Sequence, residues 1–250
     1  MKGLKRNWEF DVLGIDNYRI EGKFSSYYNF IKKNHKKIKG DIAEVGVYKG
    51  KSLLATALLL KEIGSKKIVY GFDSFSGFPP ILSINDKLSR FKDLYEKKLI
   101  SKGQLNDHYK LIEYNKLLSK SKVDELNISS SNDFSDVNLK LLKDKIQYLK
   151  LDNIKLIEGN FTDTMSKYSY NDKVFMASMF DCDLYESYKI SFEFIWPKLV
   201  KGGFIFLDEY YSLKFPGAKI ASNEFMNKHG ISATKLDLKK NEFERWIIRK

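Results

Sequence analysis

The stretch "GDIAEVGVYKGKSLLATALLLKEIGSKKIVYGFDSFSGFPP", Gly40 to Pro80, decides the fold. "DIAEV" is a short apolar strand that runs into glycine-rich turn chemistry. "KSLLATALLLKEIG" has helical length and stops at Gly64, a natural helix end. "KKIVYGFD" is a second strand, closed by Gly77 and two prolines. Strand, helix and strand at this spacing make a βαβ unit, which implies a parallel sheet.

The rhythm resumes further on. "DVNLKLLKDKIQYL" has helical periodicity, and "DNIKLIEGNFTDTM" reads as a strand and turn. "KVFMASMFDCDLYES" is the next strand, followed by the helix "YKISFEFIWPKLV", where Pro197 predicts an early end or a kink. "KGGFIFLDEYY" is a further strand, and "PGAKIASNEFMNKHG" a helix opened by Pro216 and closed by Gly230. The tail "ISATKLDLKKNEFERWIIRK" reads as a terminal hairpin around a polar turn. The expected fold is therefore α/β: a Rossmann-like sheet of about five strands plus a hairpin, with ligands at the carboxyl ends of the strands. Residues 1–38 form a lead-in with one helical segment, "SSYYNFIKKNHKKI". Residues 39–250 form the main domain, interrupted at about 82–132 by a mostly helical insertion that ends in a loop.

Hydrophobic residues make up 43% of the 250 and aromatic ones 14%, which excludes a disordered chain. The one cysteine forms no internal disulfide, so nothing points to an oxidising compartment. No apolar signal core follows the basic N-terminus, and "LLATALLL" is too short to span a bilayer. A cytoplasmic protein is expected. The net charge of +12 raises the question of nucleic acid, but only five of the 44 basic residues are arginine. Lysine lacks the bidentate fork that reads guanine or clamps phosphate, so a lysine-rich surface is preferred to a nucleic-acid site.

Three motifs carry chemistry. In "AEVGVYKGKS", Glu44, Gly46 and Gly50 frame a tight turn that brings backbone close to a ligand. Gly50-Lys51-Ser52 matches the end of a phosphate-binding loop, but Val45 stands where that loop needs its first glycine. The competing reading is a nucleoside-binding turn for a cofactor without phosphate, such as S-adenosylmethionine. Asp73, at the end of the second strand, favours the nucleoside, since a carboxylate there accepts ribose hydroxyls.

The third motif is "FDCDLYES". Asp181 and Asp183, at strand spacing, would point to one face, with Cys182 turned to the core. Asp208 and Glu209 follow the next strand. If those strands are neighbours, the acids converge, which is costly without a cation. Hard oxygen donors fit Mg2+, Mn2+ or Ca2+ and not zinc. His35, His108 and His229 show no ligand spacing and read as structural or surface residues.

"EVGVYKG", "GFDSFSGFP", "EGNFTDTM", "DCDLYES", "GGFIFLDEY" and "PGAKIASNEF" follow in order the pattern of the macrocin O-methyltransferase (TylF-type) family, which the chain resembles over about residues 38–230. The resemblance implies a class I methyltransferase sheet and a metal-dependent enzyme that moves a methyl group from S-adenosylmethionine to a sugar hydroxyl. It implies that Glu44, Gly46 and Gly50 frame the cofactor's methionine part and Asp73 its ribose. Ser74, Gly159, Phe161 and Asp163 would lie around the adenine. Asp181 would stand beside the cofactor and, with Asp208 and Glu209, hold Mg2+ or a similar ion, and Asp183 would be the base. One departure is plain: the family has two aspartates where this chain has Asp208 and Glu209. A small-molecule sugar acceptor and a homodimer are expected. A phenolic acceptor lined by Tyr27, Tyr28 and Phe30 is the alternative, followed by a P-loop NTPase and a basic RNA-binding module.

Overall fold

The computed structural model describes residues 4–167, 173–236 and 243–250. In chain order the helices are α1 (Asn7–Leu13), α2 (Ser25–Asn34), α3 (Lys51–Glu62), α4 (Arg90–Glu96), α5 (Lys102–Ser119), α6 (Leu139–Tyr148), α7 (Phe161–Lys167), α8 (Tyr185–Lys198) and α9 (Pro216–His229). The strands are β1 (Asp41–Val45), β2 (Val69–Asp73), β3 (Ile154–Glu158), β4 (Phe175–Phe180), β5 (Leu199–Leu207), β6 (Thr234–Lys235) and β7 (Trp246–Arg249).

The strands form a seven-stranded sheet in the order β3-β2-β1-β4-β5-β7-β6. β1 runs parallel to both β2 and β4, and β4 parallel to β5. β7 is antiparallel to β5, and β6 pairs antiparallel with β7. This is the mostly parallel methyltransferase sheet with a C-terminal antiparallel pair. The turn of that hairpin, 237–242, lies outside the described residues. The order reverses between β1 and β4, and a crevice opens where neighbouring connections diverge in this way.

Both faces are covered, so the central strands are apolar on both sides. On one face Ile42, Leu53, Leu59, Tyr27 and Phe206 share a core. On the other, Ala43, Val45, Phe72, Phe192 and Phe225 do so, with Phe192 stacked on Phe225 at 4.3 Å between ring centres. Each fully buried aromatic ring contributes about 2–3 kcal/mol of apolar transfer.

The structure adds three points to the sequence reading. The lead-in holds two helices: α1 starts where Glu9 accepts the Lys5 and Arg6 N–H groups, each at 2.6 Å, and stops at left-handed Gly14. The "FTDTM" segment read as a turn is helical, forming α7. α8 ends one residue after Pro197, and β5 begins at once. Within the 82–132 insertion, α4, α5 and the link between them pack Phe91, Leu94, Ile100 and Leu105 together against Ile220 of α9. His108 is structural there: it stacks on Phe91, and its Nδ1 lies 2.7 Å from the Leu213 carbonyl. Among the described residues no helix is long and apolar enough to cross a membrane.

Candidate active site

A cleft of about 720 Å3 opens at the carboxyl ends of β1, β2 and β4, within the size range of small-molecule sites. Its floor is the turn after β1. Asp73 shapes that turn: one of its oxygens accepts the Val47 and Tyr48 N–H groups at 2.7 and 2.8 Å, and the other accepts Phe75 N–H at 2.6 Å. Carboxylate oxygens hold two lone pairs each, so the second oxygen retains room for a hydroxyl. Asp73, Gly46 and Ser74 all line the cleft. Ser74 donates its hydroxyl to the Gly77 carbonyl at 3.0 Å.

Gly46 has a φ of 86°, and a Cβ there would stand 1.9 Å from the Asp181 carbonyl oxygen. Only glycine lets the β1 turn lie against the end of β4 this closely. Gly50 has a φ of 78° and lies at the start of α3, close against Leu142. It does not line the cleft, and neither does Glu44. Glu44 is fully buried below the turn, where Ser52 donates to it at 2.7 Å and its other oxygen accepts nothing among the described residues. Burial pushes its carboxyl well above the usual range. Ser52, which lines the cleft, stands between Glu44 and the ligand space. The Ser52 hydroxyl thus spends its one proton on Glu44.

Gly159, φ 137°, carries the chain from β3 into α7, and its N–H bonds the Asp73 carbonyl at 2.9 Å. Gly159, Asn160, Phe161 and Thr162 line the cleft, whereas Asp163 is exposed on α7 and does not.

The acids lie at the other end of the floor. β4 and β5 are paired through Phe180 and Leu207, so Asp181, one residue past β4, meets Asp208 and Glu209 in the 3-10 turn after β5. One oxygen from each of the three lies within 4.8 Å of the others. Asp208 and Glu209 are buried behind Asp181, which lines the cleft. Tyr188 holds Glu209: its hydroxyl accepts the Glu209 N–H at 3.1 Å and lies 3.0 Å from both Glu209 Oε2 and the Phe180 carbonyl.

Asp183 departs from the sequence reading. β4 ends at Phe180, and Asp183 has a left-handed φ of 59°, so strand alternation does not set its direction. It reaches the cleft through this turn, in a conformation that costs a non-glycine residue about 1–2 kcal/mol. Cys182 packs in the core as expected, its Sγ 3.9 Å from Ser191 Oγ.

Crowding sets the electrostatics. Burial, then the Asp208 charge, raises the Asp181 carboxyl to about 7. Burial and neighbouring acids push Asp183 and Glu209 well above the ordinary range. For Asp208 burial acts upward too, but the Lys23 ammonium, 2.5 Å from Oδ2, and further hydrogen bonds hold it below its ordinary value. Its Oδ1 is buried and accepts no hydrogen bond among the described residues. A hard-oxygen set that includes an oxygen without a hydrogen-bond donor fits a divalent ion such as Mg2+.

Sequence reasoning missed the residues the lead-in contributes: Asp16, Lys23 and Phe24 line the cleft. It also missed the apolar wall of Phe78, Pro79, Pro80, Ile81, Leu82 and Phe134. "GFPP" was a visible signal for part of that wall, while nothing local marks Lys23. Tyr27 and Tyr28 are core residues, and Phe30 packs on Phe204 at 4.1 Å; none of them lines the cleft.

The macrocin-O-methyltransferase (TylF) family profile matches residues 24–123 and 118–241. No curated protein matches the sequence. Among solved structures, the O-methyltransferase NovP superposes with a TM-score of 0.62 at 18% identity, over 90% of this chain and 79% of that one. CalS11, a calicheamicin methyltransferase described in its apo form as a TDP-rhamnose 3'-O-methyltransferase, gives 0.62 at 20% identity, over 98% and 80%. An O-methyltransferase from Bacillus cereus, solved with SAH, gives 0.51 at 11% identity, over 97% and 88%. These likenesses carry the fold, and the profile, spanning most of the sequence, carries the family. The chain belongs to the TylF macrocin-O-methyltransferase family and is an S-adenosylmethionine-dependent O-methyltransferase.

Proposed function

We propose that the enzyme methylates a hydroxyl of a sugar, free in a glycoside or linked to a nucleotide, with Asp183 as the base and a divalent ion held by Asp181, Asp208 and Glu209. The observation that carries this reading is the acid trio itself, Asp181 at the cleft with Asp208 and Glu209 buried behind it, its ligand atoms within 4.8 Å of one another. The sugar class is supported by the description of CalS11 as a TDP-rhamnose methyltransferase.

In this reading Gly46, Asp73, Ser74, Gly159 and Phe161 contact the cofactor beside Asp181. Glu44 and Gly50 act from behind, by fixing the turn after β1, and Asp163 stands on α7 towards the adenine. S-adenosylmethionine, when bound, supplies an electrophilic methyl group on a sulfonium. A divalent ion, when bound, supplies charge that acidifies and orients the acceptor hydroxyl. The chain's own part is positioning and proton transfer. An attacking oxygen needs alignment about 3–3.5 Å from the methyl carbon, which rigid strand ends favour over mobile loops. Asp183 takes the hydroxyl proton at its carboxylate, and a buried acid with raised proton affinity suits that task. The lead-in 1–38 and the 82–132 insertion are read as walls that close over the strand ends and exclude water.

A phenolic acceptor is favoured by one observation, the apolar wall running from Phe78 to Leu82 with Phe134. Labelled S-adenosylmethionine offered with sugar nucleotides, glycosides and catechols separates the two. Transfer to a sugar that stops on chelation and returns with Mg2+ is expected. Transfer confined to phenols, or full activity after chelation, overturns the assignment.

A further inference from the structure

We propose that Lys23 is a resident counter-cation of the acid cluster that a divalent ion displaces, so that the ammonium and the metal compete for the same carboxylates. The inference rests on the metal reading given above. Its starting point is the Lys23 Nζ, 2.5 Å from Asp208 Oδ2 and itself part of the cleft wall. Lys23 lies one residue before the stretch matched by the family profile.

One positive charge faces at least three crowded acids, so the lysine lessens their repulsion without neutralising it. The Asp208 Oδ1, buried and accepting no hydrogen bond among the described residues, leaves an oxygen open to a cation. A dication drawn to that oxygen would stand on the same carboxylate as the ammonium. Two cations that close, in a site shielded from water, repel strongly. The one free to leave is the lysine: its side chain is 42% exposed, against 6% for Asp208.

The route out needs no backbone movement. Phe24, the next residue, is anchored in the core against Phe206 at 5.6 Å and Tyr28 at 6.4 Å. The Lys23 Nζ already lies 4.7 Å from the Phe24 ring centre, so the ring face supports the ammonium as it swings outward. Rotation about the flexible side chain is enough. The ammonium then moves from the acids into the cleft where substrates bind.

The test is Mn2+ affinity by calorimetry for the wild type, Lys23→Met, Lys23→Gln and a surface control, Lys33→Met. The two Lys23 variants should bind Mn2+ about tenfold more tightly, as expected when a like charge leaves a shielded site, and the control should match the wild type. A second readout uses the unmodified protein. Acetylation of the Lys23 amine, followed by mass spectrometry, should be slow without metal and several-fold faster with saturating Mg2+. Equal or weaker Mn2+ binding by both variants, or an amine whose reactivity ignores Mg2+ that demonstrably binds, overturns the competition and leaves the metal site intact. Absence of Mn2+ binding in every protein overturns the metal reading and this inference together.

Discussion

The Cα of Gly46 lies against the peptide of Asp181 so closely that a methyl group there would approach its carbonyl oxygen to 1.9 Å. The turn after β1 and the first acid after β4 are therefore a single packed unit. Gly46→Ala should force them apart. Its cost combines left-handed strain of about 1–2 kcal/mol with overpacking of about 1–3 kcal/mol. Thermal unfolding should fall by about 10 °C, and cofactor and metal affinity should drop together. An alanine variant with parental melting and affinity would show that the two segments move independently.

Asp183→Asn should preserve the fold, because asparagine also tolerates a left-handed backbone. Turnover should fall about 10²–10⁴-fold, while the affinity for S-adenosylmethionine stays within a factor of about two. Replacing an acid whose ionisation is opposed by burial and by neighbouring acids should also raise the melting temperature near neutral pH. Retained turnover would remove Asp183 from the role of base.

Tyr188→Phe should test the support under Glu209. The variant strands the buried Glu209 N–H and its carboxylate partner, at about 1–3 kcal/mol. Metal affinity should weaken about 10–100-fold, as is usual when the group orienting a ligand is lost. Metal titration of the variant by calorimetry checks this, and unchanged binding would place Glu209 outside the ligand set.

Asp86 gives a pH signature. It is buried in the 82–138 segment, and its Oδ1 accepts the Tyr185 N–H at 2.8 Å across 99 residues of chain. Burial raises its carboxyl from 3.8 to about 6, against the opposing pull of the backbone N–H bonds. A folded-state value above the unfolded one stabilises the fold at low pH, and that contribution fades as pH climbs through about 6. Asp86→Asn keeps an acceptor for Tyr185 and cannot ionise. Urea unfolding should show the wild type losing about 3 kcal/mol relative to the variant between about pH 4 and pH 7. Parallel stability curves across that range would contradict the assignment.

The central sheet was legible because its signals are local. Gly64, Gly230 and Pro216 punctuate helices, and apolar runs ending at Val45, Asp73 and Leu207 mark strands. The meeting of Asp181 with Asp208 and Glu209 was also legible, since it needs only that β4 and β5 be neighbours. The remainder depends on distant contacts. Lys23 and Asp208 are 185 residues apart, and a flexible lysine carries no periodicity that names its partner. Asp183 has the spacing of a strand residue, yet the strand ends at Phe180 and a left-handed turn aims it instead. α1 is only seven residues long, too short for a clear amphipathic pattern.

The strand order β3-β2-β1-β4-β5 divides the two proposed tasks along the midline of the sheet. Turns from β1, β2 and β3 would serve the methyl donor, and those after β4 and β5 would gather the acids. A descendant could thus trade its dication chemistry for another way of activating an acceptor by altering one flank alone, provided the glycine at the seam were kept.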